Sequence, residues 1–150
     1  MENIVNQVKD YLEKDDWKYI YDDKNTIIET GCTIKGKLSQ IRLLIRFSDT
    51  GFSIVAYSPL NAAEECRPAV MEFITRVNYP LRYGGFRLDL SDGEILYQHY
   101  TDCEGTESLS TDVIENSVTI PLMMWQIFGN SIAMLLMGFS TPELEFMKYM

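Results

Sequence analysis

A chain of 150 residues with 46% hydrophobic and 12% aromatic content is sized for one domain and too apolar for a disordered segment. Its 13 basic against 22 acidic side chains leave a net charge of −9, which repels phosphate backbones and weighs against nucleic-acid binding. Three cysteines at irregular spacing, without a CxxC pair, and a single histidine argue against a disulfide framework and any His-paired metal site. A reducing compartment is expected.

The opening stretch MENIVNQVKDYLEKDD lacks the basic segment and apolar run of a secretory signal, so a cytoplasmic address is expected. Ile4, Val5, Val8, Tyr11 and Leu12 recur at helical steps and predict a first helix with one apolar face. Strand patterning follows: residues 18–21 are a candidate short edge strand, and residues 26–34 are rich in β-branched side chains. Between 40 and 47, Ile41, Leu43, Ile45 and Phe47 alternate with Arg42, Leu44 and Arg46, the period of a strand with one buried face. The Asp49, Thr50, Gly51 turn signal then joins it to a partner over 52–57.

Pro68 suits the start of a second helix, in which Val70, Phe73, Ile74 and Val77 keep helical spacing up to Asn78 and Pro80. Phe86, Leu88 and Leu90 alternate before Asp92-Gly93, and a strand follows from Ile95. Asp-Gly between alternating runs predicts a hairpin closed by a two-residue type I′ turn. TDCEGTESLST reads as a loop, and Thr111 or Asp112 as the cap of a third helix from Val113 to about Phe139, ended or bent at Pro121. Ser140 or Thr141 can cap a last short helix opened by Pro142. Strands grouped in hairpins predict a single α+β domain over 1–150. Its antiparallel sheet has about five strands in the order α-β-β-β-α-β-β-α-α.

Little in the chain can carry chemistry. His99 shares strand parity with Ile95 and Tyr97, so it reads as a side chain on a sheet face, and pairing with Cys103 would lack an orienting residue. Gly84-Gly85 has no flanking Lys and Ser/Thr to cradle phosphate and reads as a strand opening. The pairs Asp15-Asp16, Asp22-Asp23 and Glu64-Glu65 fall at helix ends or in loops, as surface charge. No catalytic, cofactor-binding or metal-binding residue is expected.

The run NSVTIPLMMWQIFGNSIAMLLMGFST, 116–141, contains no charge and is long enough to span a bilayer. Pro121, Gln126, Asn130 and Ser131 within it, and acidic Glu115 and Glu143 beside it, weigh against insertion. On a helical wheel Leu122, Trp125, Phe128, Ile132, Leu135 and Phe139 form a stripe expected to pack on the sheet. Met123, Ile127, Met134 and Met137 form another face, a candidate dimer or partner contact unless the first or last helix covers it.

The segment FITRVNYPLRYGGFRLDLSDGEILYQHY resembles the YbjN-like family of bacterial sensory transduction regulators, whose fold is shared with class I type III secretion chaperones. The matching features are Asn78 at a helix end, Gly84 or Gly85 before Phe86, Asp89, Asp92-Gly93, and then Ile95 and Tyr97. Arg67-Pro68 resembles the start of the family's second helix, and IPLMMWQIFGN followed by STPELEF its C-terminal end. The resemblance implies a secretion-chaperone-like fold, a homodimer, no cofactor, and recognition of protein segments. A non-catalytic protein-binding module is therefore expected, with itself and an unknown protein as partners. The alternative is a membrane-associated regulator anchored by the third helix, about 117–139.

Overall fold

A computed structural model describes all 150 residues. Helix α1 (Glu2–Lys14) leads into strands β1 (Ile20–Asp22), β2 (Ile27–Thr33), β3 (Gln40–Phe47) and β4 (Gly51–Tyr57). A 3-10 turn (Glu64–Cys66) opens α2 (Arg67–Asn78), followed by β5 (Gly85–Leu88), β6 (Ile95–Asp102), α3 (Thr111–Leu136) and α4 (Pro142–Met147). The strands form one antiparallel sheet in the order β1-β2-β3-β4-β6-β5. The α+β class is as expected, with six strands rather than five. The sixth, β1, is the short edge strand expected over 18–21, formed two residues later than its expected start and only three residues long.

Register decides the layering. Ile28, Ile45, Ile54 and His99 stand opposite one another across four strands, as do Thr30, Leu43, Ala56, Tyr97 and Phe86 across five. The apolar ones join the buried residues of α1, α2 and α3 in one core cluster, with Thr30 and His99 as buried polar side chains on the same sheet face. Strand alternation sends Glu29, Arg42, Arg46, Arg87 and Gln98 to the other face. Leu44 and Val55 also point there, buried but outside that cluster.

Hydrogen bonds tie α2 to the β5–β6 hairpin, and they use the residues of the family-like pattern. The Asn78 amide donates to the Phe86 carbonyl and accepts from the Phe86 N–H, both at 2.8 Å. It thereby satisfies an edge strand in place of a further strand. A Cβ on Gly85 would lie 3.2 Å from Asn78 Oδ1. Arg67 donates to the carbonyls of Ala62 and Leu90, each at 3.0 Å.

The hairpin forms, but its turn differs from the expected two-residue type I′. Leu88 pairs with Ile95, so residues 89–94 make the loop, closed by Asp89 N–H to Glu94 O at 2.9 Å. Within Asp92-Gly93 only Gly93 has positive φ, at 81°. Its carbonyl accepts from Ala62 N–H, and a Cβ there would lie 1.9 Å from the Ala62 carbonyl. The segment after β4 therefore shapes this loop, and local turn preference yields to it.

Helix α3 runs unbroken through Pro121, with Ser110 rather than Thr111 or Asp112 as its N-cap, its hydroxyl accepting from Val113 N–H at 3.2 Å. Burial of Ser117, Val118, Pro121 and Trp125 against the sheet outweighs the hydrogen bond lost at proline. Trp125 is fully buried, donates its indole N–H to the Ala56 carbonyl at 3.0 Å, and meets Phe86 edge-on at 5.0 Å. Thr141 caps α4 by accepting from Leu144 N–H at 3.3 Å, one of the two caps expected.

Replacing Asn78 with Ala should leave two half-buried backbone groups of Phe86 without partners and cost about 2 kcal/mol. Urea unfolding checks this, with a lowered midpoint and an unchanged slope expected.

Candidate functional site

Helix α3 buries one side and exposes the other, as 3.6-residue periodicity requires of a helix lying on a sheet. Ile114, Val118, Trp125, Ile132 and Leu135 are buried. Of the four candidate contacts, Met123 is 52% exposed, Ile127 45% and Met137 44%, while Met134 is half-buried. They lie along the side turned away from the sheet. Phe139, expected on the inner stripe, is 72% exposed because α3 stops at Leu136 and the chain turns at Gly138, with φ 71°. Leu122 and Phe128 are only partly buried.

The flanks of this exposed strip are covered from within the chain. On one side the Tyr149 hydroxyl donates to the Ile127 carbonyl at 3.1 Å and lies 2.7 Å from Ser131 Oγ. Its ring packs at a tilt of 55° against that of Phe128, centroids 4.7 Å apart. On the other side the β2–β3 loop approaches, Lys37 N–H donating to Asn130 Oδ1 at 2.7 Å. The wheel does not reveal this partial cover, since Tyr149 and Lys37 are distant in sequence.

Glu145 fixes the C-terminal cover. It is 1% exposed, and it accepts from Lys148 Nζ at 2.8 Å and from Ser140 Oγ at 2.5 Å. Burial pushes its pKa upward, but hydrogen bonds from Lys148, Ser140 and Ser131 and the Lys148 charge together hold it below the ordinary carboxylate value.

His99 sits on the inner sheet face at 9% exposure, as its strand parity implies. Its Nδ1 has no hydrogen-bond partner, and the ring lies 5.8 Å from that of Tyr83. Burial pushes the imidazole below its usual value. Cys103, at the end of β6, donates its thiol to the Thr101 carbonyl at 3.7 Å. Burial first, and then the Asp102 carboxylate, push that thiol up, away from the thiolate a nucleophile needs.

Four acidic residues, Asp22, Asp89, Asp92 and Asp102, serve local turns. Asp22 accepts from Lys24 and Asn25 N–H, Asp92 from Glu94 N–H, and Asp102 from Glu104 N–H. No three His, Cys, Asp or Glu side chains converge as a metal site would require. A depression of about 550 Å³ is mostly polar and lies along β2, β3 and the segment after β4, where Arg42 sits 4.6 Å over the ring of Tyr57. A second, of about 440 Å³, lies between α1 and the β3–β4 turn. Neither includes α3. That helix is long and apolar enough to cross a membrane by length and composition, with 44% of its apolar window buried within the fold.

A family model described as "Putative bacterial sensory transduction regulator" matches residues 5–132. No curated protein matches the chain.

His99 and Glu145, both buried, give acid sensitivity. With His99 depressed in the folded state, the unfolded chain binds the extra proton, so stability should fall as pH drops below about 6.5. His99→Leu should flatten that portion of the profile. Glu145 stabilises above its unfolded value, near 4.5, and its contribution should vanish as pH falls through the lower folded value. Urea midpoints from pH 8 to pH 3, for wild type, His99→Leu and Glu145→Gln, separate the two steps.

Proposed function

The chain belongs to the YbjN family, and from that premise we propose that it is a non-catalytic regulatory module that works by binding protein. In this reading it is a cytoplasmic homodimer of secretion-chaperone-like fold that also holds a segment of a second protein.

One observation carries it: a helix face exposing Met123, Ile127 and Met137 without a charged residue between 116 and 142, on a chain of net charge −9. Exposed apolar surface concentrated on one element marks interaction sites. Methionine suits such a face because its flexible, polarizable side chain fits varied apolar shapes. A buried imidazole and a protonated thiol support a role without chemistry. The helix-free sheet face and the edge of β2 beyond its short pairing with β1 leave room for a partner segment.

Met134→Asp combined with Met137→Asp should leave the circular dichroism spectrum native and make the protein monomeric, or abolish capture of its partner. Light scattering and affinity purification from the native host read the two outcomes, and an unaltered mass with an unaltered set of bound proteins would overturn the proposal. The length and composition of α3 favour one other reading, a membrane-associated regulator. Carbonate extraction of a membrane fraction tests it, and release into the soluble phase excludes it.

A further inference from the structure

On the exposed side of α3, Ile120, Met123, Ile127, Asn130, Met134 and Met137 step by three, four, three, four and three residues. This is the 3.5-residue repeat of a seam that packs against another helix. It differs from the inner stripe through Ile114, Val118, Pro121, Trp125 and Ile132, which serves the sheet. One helix thus carries two packing faces, and within the chain only the flanks of the outer one are covered.

Charge identifies what would fill the seam. Lys35 and Lys37 are exposed on the β2–β3 loop, and neither forms an ion pair. Asp112 and Glu115, in the first turns of α3, are likewise exposed and unpaired. At roughly 100° per residue, Asp112, Glu115, Gly129 and Asn130 fall on the same flank of the helix. The loop docks on this flank, with Lys37 N–H on Asn130 and Leu38 Cδ1 3.5 Å from where a Gly129 Cβ would stand.

We propose that two copies of this chain pair through α3 in antiparallel sense, Met123 of each opposite Ile127 of the other. Lys35 and Lys37 of one copy then meet Asp112 and Glu115 of the second. This rests on the homodimer reading above and specifies its geometry.

A two-fold axis perpendicular to the helices sets like flank against like flank and places Asn130 of one copy level with Ile120 of the other. Glu115 then lies roughly 7 Å, and Asp112 roughly 12 Å, along the axis from the partner's lysine loop, within reach of extended lysine side chains. A parallel pair would instead gather four carboxylates at one end and leave both loops unmatched. Two chains of net charge −9 repel at long range, and the charge-free strip with its lysine loop offers a place where copies can approach.

Sedimentation equilibrium of the full chain tests this with two variants. One carries Lys35→Glu and Lys37→Glu, the other Asp112→Lys and Glu115→Lys. Each alone sets like charges together at both ends, so each dissociation constant should rise roughly tenfold or more at low salt. Mixed one to one, the two variants place opposite charges at both ends and should form a heterodimer within about threefold of the wild-type constant. Should the second variant lose helical signal, Glu115→Lys alone replaces it.

A wild-type chain that stays monomeric at about 100 µM overturns this pairing and the homodimer reading together. A wild-type dimer whose constant ignores both reversals overturns the antiparallel register alone. So does a mixture that fails to recover, since a merely structural effect of the substitutions would not be repaired by the other variant.

Discussion

The burial of Trp125 is the constraint from which the rest of the surface follows. Its indole hydrogen-bonds the carbonyl of Ala56 in β4 and meets the ring of Phe86 in β5, so one side chain locks α3 across strands far apart in sequence. With Trp125 facing the sheet, a helix of this length must turn residues two and five positions away toward solvent. Met123 and Ile127 are exposed for that reason, and no local preference for water is involved.

The residues that mark the family pattern are joints between α2 and the β5–β6 hairpin. Asn78 closes the edge of β5, Arg67 fastens carbonyls from two loops, and Gly93 lets the backbone meet Ala62. Asp89 accepts from the Ser91 backbone and hydroxyl and so shapes the same loop. A hydrogen-bond network of this kind defines how a helix sits on a hairpin. Family membership therefore transfers a scaffold, and function has to be sought on the surfaces that scaffold leaves open.

Those surfaces differ in character. The side of the sheet without helices carries Arg42, Arg46 and Arg87 around nearly buried Leu44 and Val55, and Arg42 is held by Glu29 at 3.5 Å. The side of α3 away from the sheet has no charge at all along its middle. In an acidic chain, an uncharged strip is where long-range repulsion between copies is weakest and short-range apolar contact can act. Asp22, Asp89, Asp92 and Asp102 are placed in turns, where backbone N–H groups stabilise the ionised form without a cation.

By itself the sequence determined the elements and the class. Periods of 3.6 and 2 located the first three helices and the longer strands, because one buried face imposes a repeat on consecutive residues, and cap chemistry at Thr141 and Pro142 located the last helix. It also marked the surplus of apolar surface on α3, since an uncharged run is a property of composition. Only the tertiary structure decided that Pro121 stays inside a continuous helix, that Asp92-Gly93 belongs to a six-residue loop, and that Phe139 leaves the inner stripe. It also placed Tyr149 and Lys37 on the flanks of the exposed strip. Each of these depends on contacts between residues remote along the chain, whose free energies exceed the local preferences that periodicity and turn chemistry express.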